Sequence, residues 1–449
     1  MKDYMEFARS IAKQTKVMEI SEGALEKVPS VFKQLWGEQK AVVVADCNTW
    51  RVAGQRVFDG LCASGVDCRS FIIPDEHFHA EWKYVEMVDK VLDDTGAIAV
   101  SVGSGVINDL CKLASHHHGR SYLSVATAAS VDGYTSFGAS ISYKGLKQTF
   151  DCPAPLALVA DIDVIAEAPA HMTAAGYADL AAKIPAGAEW MIADLFGTEP
   201  IVPDAWHVLQ DVIDLMLSDP EGTARGDRKA VRLLFEGLTL SGVAMQAARS
   251  SRPASCTDHL FSHYLDMTGH RYKGELQSHG FQVAIGTLVM CAFFDEFLKL
   301  DLSTLDVEDC VAHWPTLEQE KQRARELFAD FVDPELGVRS LEVKYADAAE
   351  VRRELTAVRD NWPALRDKYR AQVYPFEKMQ RLFKLAGAPS EPSDIGLSCA
   401  KLKSMVPFTQ LMRHRINLLD LAKRARIYDL LVDKVFGQGG AFCVMENDV

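Results

Sequence analysis

Between Lys40 and about Asp161 the chain alternates short unbroken apolar runs with segments of helical period. Ala41–Ala45, Arg69–Ile73, Ala97–Val102, Tyr122–Ala126 and Leu156–Ala160 have the continuous Val/Ile/Ala character of strands covered on both faces. Between them the spacing predicts helices over Thr49–Ser64 and Val106–His118, each followed by the glycine, Gly65 or Gly119, expected just past a helix end. Such a βαβ series predicts a parallel sheet flanked by helices. After Pro153, Pro155 and Pro169 the period changes to 3.6 and β-branched runs thin out. Candidate helices there are Met172–Leu195, Asp204–Ser218, Gly222–Arg249, Thr257–Thr268, Gly280–Lys299 and Leu317–Val332. The expected architecture is an α/β domain with a parallel sheet over residues 1–165, then an all-α domain over residues 166–449.

Composition narrows the class. Among 449 residues, Lys and Arg number 48 against 62 Asp and Glu, a net charge of −14 with no basic tail. Such a surface repels phosphate backbones, so no nucleic-acid partner is expected. Hydrophobic residues make up 48% and charged residues 24%, enough for a sizeable core and unlike a disordered chain. The least polar stretch, Phe281–Phe294, is too short to span a bilayer and reads as a buried helix, so no membrane insertion is expected. Met1–Lys16 alternates charged and apolar residues without a signal-peptide core, which points to the cytoplasm. The ten cysteines include no Cys-x-x-Cys pair and read as reduced, mostly buried thiols.

Several clusters carry candidate chemistry. Gly103-Ser104-Gly105-Val106-Ile107-Asn108-Asp109 follows a predicted strand and opens a helix, so it is either a pyrophosphate cradle at a helix N-terminus or a tight strand-to-helix turn. Asp46, at the end of the first strand, is placed to take a ribose 2′-hydroxyl, favouring NAD over NADP, or to cap the following helix. Thr127-Ala128-Ala129-Ser130-Val131-Asp132-Gly133-Tyr134-Thr135-Ser136 packs hydroxyls and one acid into a loop after another strand, for a ligand or for its own backbone. In the helical half Asp179 and Lys183 share one helix face, His259 and His263 share another, and His279 precedes a third helix. One carboxylate and two imidazoles leave a fourth position open, as catalytic divalent sites do. His259-Leu-Phe-Ser-His263 is not a zinc-protease motif, because Leu260 stands where the general-base glutamate belongs. His116-His117-His118 sits at a helix end, where the dipole and solvent explain it.

Taken in order, these segments resemble the sn-glycerol-1-phosphate dehydrogenases, especially the bacterial arabinose-operon type, of the iron-dependent alcohol dehydrogenase and dehydroquinate synthase superfamily. Gly103-Ser-Gly105-Val-Ile-Asn-Asp109-Leu-Cys-Lys112 resembles that family's G-G/S-G-x-x-x-D-x-x-K, and Thr127 to Ser136 resembles its T-A-A-S-x-D-G-x-x-S. Gly176-Tyr-Ala-Asp179-Leu-Ala-Ala-Lys183 resembles G-x-G-D-x-x-A-K. Ser251-Arg-Pro-Ala-Ser255-Cys-Thr-Asp-His259-Leu-Phe-Ser-His263 resembles S-R-P-A-S-G-x-E-H-x-x-S-H, and His279-Gly280-Phe-Gln282-Val resembles H-G-x-Q-V. The likeness spans roughly residues 40 to 300. Ala178, Cys256, Asp258 and Ala284 depart from it, the first two replacing glycines and Asp258 replacing glutamate.

The resemblance implies a dehydroquinate synthase-like fold, with a Rossmann-like dinucleotide domain before a metal- and substrate-binding one. It implies one divalent metal, zinc or nickel, on Asp179, His259 and His279. It also implies substrate contacts at Asp132, Asp179 and His263, of which Asp132 and His263 would act in catalysis, and a dinucleotide site at Gly103, Gly105 to Asp109, Thr127 to Ser130 and Ser136. The expected reaction is NAD-linked reduction of dihydroxyacetone phosphate to sn-glycerol 1-phosphate, with NADP as the other cofactor and a homodimer as the expected assembly. Lys183 and Arg252 are the nearest cations in sequence for the substrate phosphate. Competing expectations are a dehydrogenase for glycerol or another polyol or sugar phosphate, a cyclase that recycles bound NAD, and a nucleotide-binding sensor without catalysis.

Overall fold

The computed structural model describes residues 4–75, 78–144 and 146–444. Its main sheet holds β1 (Val17–Ser21), β2 (Ala41–Asp46), β3 (Cys68–Ile73), β4 (Ile98–Gly103), β5 (Leu123–Ala126) and, after a hairpin of β6 (Ala139–Tyr143) and β7 (Leu146–Phe150), β8 (Ala157–Asp161). The spatial order is β1-β8-β5-β4-β2-β3, with every pair parallel. Each of the five expected strands appears within one residue of its expected bounds. β1 and the β6–β7 hairpin were not anticipated. β1 alternates buried and half-buried positions, as an edge strand does, and lacks the continuous apolar run that marks the inner ones.

Both faces of the sheet are covered, which is why its inner strands read as unbroken hydrophobic runs. Val43, Ala45, Val100, Val102, Val125 and Val159 pack into one core, with Val57 and Leu61 of the helix Gln55–Ala63. Val42, Val44 and Ala99 pack into the other, against α1 (Trp82–Thr95) and α2 (Gly105–His117). The chain leaves β2 toward β3 on one side and leaves β4 toward β5 on the other. Ligands of open α/β sheets bind at such a switch in strand order. The register pairs Val44 with Ser101, so Asp46 and Gly103, two residues further along each strand, end neighbouring strands at that switch.

The helices relevant to the site are α3 (Ala170–Ala181), α4 (Lys183–Phe196), α5 (Arg228–Ala248), α6 (Thr257–Met267), α7 (His279–Phe297), α8 (Ala348–Gln372), α9 (Cys399–Leu411) and α10 (Leu418–Arg424). The expected helix Met172–Leu195 is two helices, because Pro185 lacks the N–H that would bond the carbonyl of Ala181. The expected Gly222–Arg249 is also interrupted: Gly226 takes a left-handed φ of 71° and Asp227 caps Lys229 and Ala230 to start α5 afresh. Asp204–Ser218 holds only two short helices, Pro203–His207 and Ile213–Met216.

Two compact units result. One comprises Met1–Ala181, Val202–Pro253 and Leu385–Gly387, and so contains the sheet, α3 and α5. The other comprises Ala182–Ile201, Ala254–Lys384 and Ala388–Val449 and is helical. Its central helix, α7, is apolar and long enough to cross a membrane, but 83% of its apolar window is buried. Phe297 on α7 packs edge-on to Trp362 of α8 with centroids 5.1 Å apart, so this is a core helix. All ten cysteines are free, and five of them are buried.

Candidate active site

The glycine turn after β4 is shaped by close packing. A Cβ on Gly103 would lie 2.7 Å from the side chain of Ile107, and one on Gly105 would lie 2.8 Å from Val131. Ser104 occupies the N-cap position of α2 without a side-chain cap bond, so the first-turn amides of Gly105, Val106 and Ile107 are offered outward at the positive end of the helix. The side chain of Ile107 is buried in the sheet core. Asp46 is engaged as a helix cap: its carboxylate accepts from Asn48 N at 2.8 Å, Thr49 N at 3.0 Å and Thr49 Oγ1 at 3.0 Å.

Asn108 and Asp109 turn toward the loop that follows β5. Asn108 Nδ2 donates to the carbonyl of Gly133 at 3.1 Å, while its oxygen accepts from Tyr122 and Ser124, each at 3.0 Å. Asp109 accepts from Ser140 N at 3.1 Å. Lys112, fully buried, donates to the carbonyls of Gly133 and Gly138 at 2.9 Å each and to Ser136 Oγ at 3.3 Å. These motif residues therefore hold the 127–136 loop in shape, and Ser136 is one of the groups they hold. Thr127, Ala128, Ala129 and Ser130 are buried at its start, where Thr127 N bonds the carbonyl of Gly103 at 3.2 Å.

The same loop is clasped from two further helices. On α3, Gly176 lies so close to Ala129 that a Cβ would sit 2.0 Å from its carbonyl oxygen, and Asp179 Oδ2 accepts from Asp132 N at 3.0 Å. On α5, Ser241 donates to Asp132 Oδ2 at 2.8 Å, the carbonyl of Thr239 accepts from Thr135 Oγ1 at 2.8 Å, and Gln246 Nε2 donates to the carbonyl of Thr135 at 2.6 Å. Sequence reasoning missed Ser241 and Gln246. The available signal was a buried polar set, Thr239, Ser241 and Gln246, inside an otherwise apolar helix.

The candidate imidazoles lie on α6 and at the start of α7. α6 and α7 bring the rings of His259 and His279 to 5.2 Å between centroids. Each ring is held at Nδ1: His259 by the adjacent carboxylate of Asp258, His279 by Ser262 Oγ at 2.9 Å, which in turn donates to Gln282 at 2.7 Å. Partners of this kind orient metal-ligating histidines and leave Nε2 for the ion. α6 itself is anchored by Glu189 of α4, which accepts from Thr257 N at 2.9 Å, Thr257 Oγ1 at 2.8 Å and, on α10, Leu418 N at 2.9 Å. Burial raises the pKa of Glu189, opposed by these donors. His263, one turn along α6, faces Arg413.

The ligand atoms of Asp179, His259 and His279 all lie within 4.8 Å of one another. Two oriented imidazoles and a carboxylate fit a divalent ion with room for a substrate oxygen. Lys183 and Arg252 are fully buried and already engaged in other interactions.

A family model described as iron-containing alcohol dehydrogenase matches residues 19–169. The chain is similar to the glycerol-1-phosphate dehydrogenase (NAD(P)+) of Halalkalibacterium halodurans, with 31% identity over 295 residues, 65% of this chain and 73% of that protein. It is likewise similar to the protein of the same name from Pyrococcus horikoshii, 32% identical over 286 residues, 64% of this chain and 78% of that one. Among solved structures, a probable glycerol dehydrogenase from Sinorhizobium meliloti superposes with a TM-score of 0.61 at 17% identity, covering 93% of this chain and 97% of that chain. An alcohol dehydrogenase from Oenococcus oeni gives 0.58 at 16% identity, covering 93% and 98%. Those two likenesses establish the fold, a parallel-sheet α/β part followed by a helical one.

Proposed function

This chain belongs to the glycerol-1-phosphate dehydrogenase family of iron-containing alcohol dehydrogenases, and on that footing we propose that it reduces dihydroxyacetone phosphate to sn-glycerol 1-phosphate with a nicotinamide dinucleotide. The observation that carries this reading is the group formed by Asp179, His259 and His279, whose ligand atoms lie within 4.8 Å of one another. A nitrogen-rich set with one carboxylate suits zinc or nickel. When bound, the ion supplies Lewis-acid polarisation of the ketone and the nicotinamide supplies the hydride.

The chain's own residues do the rest. Asp258 and Ser262 hold the imidazoles at Nδ1, which would leave Nε2 of each to hold the ion. Asp132, oriented by Ser241, receives a substrate hydroxyl. Arg413 donates to Nε2 of His263, so that ring carries its proton on Nδ1 and offers it to the oxygen that gains negative charge. The amides of Gly105 to Ile107 receive the pyrophosphate, with Gly103 giving close approach and the Asn108–Asp109–Lys112 set holding Thr127 to Ser130 and Ser136 beside it. Asp46 Oδ2, which accepts one bond from Thr49, takes the ribose 2′-hydroxyl and selects NAD over NADP. In this reading residues 1–165 carry the dinucleotide, residues 166–449 supply the metal ligands, and the enzyme works as a cytoplasmic homodimer without membrane insertion.

The test is NADH oxidation by metal-loaded protein with dihydroxyacetone phosphate, run beside dihydroxyacetone and after chelation. Turnover is expected with the phosphate, lost on chelation and restored by zinc or nickel. Asp179→Ala and His279→Ala are expected to lose bound metal and activity together. Unchanged activity in both variants would refute the metal assignment, and faster turnover of the unphosphorylated ketone would refute the substrate.

A further inference from the structure

The two cations nearest the site in sequence, Lys183 and Arg252, are fully buried and otherwise engaged. A third cation, far away in sequence, is better placed. Arg413 follows α9 and directs Nη2 onto Nε2 of His263 at 3.1 Å. A guanidinium has five N–H donors and no acceptor, so this contact uses one donor and leaves the others. Among the described residues no carboxylate forms an ion pair with Arg413, whereas its neighbour Arg415 is tied to the carbonyl of Ser255 at 3.1 Å and to Glu199 at 3.6 Å. Burial and the like charge of Arg415 pull the pKa of Arg413 down to about 10, against weaker opposing effects of Cys256 and Asp258. The group stays charged at neutral pH, half-buried and without a counter-ion among the described residues. A cation in that state lacks an anion partner, and its planar fork matches the oxygens of a phosphate monoester.

Its place along α6 fits the substrate. His263 lies one helical turn, about 5 Å, beyond His259. In a three-carbon keto phosphate, one methylene and an ester oxygen separate the carbonyl carbon from phosphorus, a comparable reach. We propose that Arg413 is the residue that recognises the substrate phosphate and so sets the preference for a phosphorylated over a free ketone. The inference rests on the function proposed above and names the group that reads the phosphate.

Two measurements on metal- and NAD-loaded protein test it. In steady-state assays Arg413→Gln, which retains an N–H donor for His263, is expected to lower kcat/KM for dihydroxyacetone phosphate about 10- to 100-fold. That loss is expected mainly through KM and to exceed any loss on dihydroxyacetone by at least about tenfold, with partial recovery in Arg413→Lys. Equal losses on both ketones, or no loss on the phosphate, would overturn the proposal. Calorimetric titration with inorganic phosphate needs no turnover: wild type is expected to bind it and Arg413→Gln to bind it at least about tenfold more weakly. Equal affinity, or no binding by wild type, would also overturn it. A wild-type protein that binds phosphate through Arg413 yet leaves dihydroxyacetone phosphate unreduced would count against the proposed reaction alone.

Discussion

Both imidazoles of the candidate metal set are committed at Nδ1 before any ion arrives, but to partners of different charge. His279 leans on the neutral hydroxyl of Ser262, and His259 on the fully buried carboxylate of Asp258. The second oxygen of Asp258, Oδ1, is buried with no hydrogen-bond partner among the described residues. An unbalanced buried carboxylate favours a nearby cation. Asp258→Asn is therefore expected to weaken zinc or nickel binding by about 10- to 100-fold while leaving the fold intact. Competition against a chromophoric chelator would measure this, and unchanged affinity would mean that Asp258 serves packing alone. The residue types of this site are readable in the chain, but their partners are not. Asp258 registers in sequence only as a departure from the motif's glutamate, and the bonds of Asn108 and Asp109 to the 133–140 segment do not register at all.

Small residues decide how closely the helices approach. Gly286 of α7 faces the carbonyl of Asp258 on α6, where an added Cβ would sit 2.1 Å from the oxygen. That close approach of α6 and α7 accompanies the 5.2 Å separation of the His259 and His279 rings. Gly286→Ala forces the helices apart and is expected to cost about 3 kcal/mol of stability and at least about tenfold in metal affinity. Urea unfolding and metal titration of the same variant would check both, and a loss of stability without a loss of affinity would separate packing from the site. Gly176 plays the corresponding part between α3 and Ala129. The inner strands β2, β4, β5 and β8 were readable to within a residue because burial on both faces writes an uninterrupted apolar run. Helix ends were less so: backbone chemistry at Pro185 and Gly226 breaks helices that the spacing alone reads as continuous.

At the scale of the whole molecule, an ion held by Asp179, His259 and His279 would link metal binding to stability, because these residues come from segments up to 100 residues apart and an unfolded chain does not hold them together. An ion that binds only the folded state stabilises it by about 2.7 kcal/mol when present at 100 times its dissociation constant. Scanning calorimetry is expected to show a lower transition after chelation, restored by zinc or nickel, and no such shift in Asp179→Ala. A chelation shift of wild-type size in that variant would place the ion elsewhere. The sequence by itself determined the parallel sheet, the helical second half and the glycine turn, and its motifs marked Asp179, His259 and His279 as candidate ligands, because periodicity and short motifs are local properties of the chain. Only the tertiary structure decided what each group works with. Ser241 reaches Asp132 across 109 positions and Arg413 reaches His263 across 150, and contacts between residues so distant along the chain arise from packing, which no local pattern encodes.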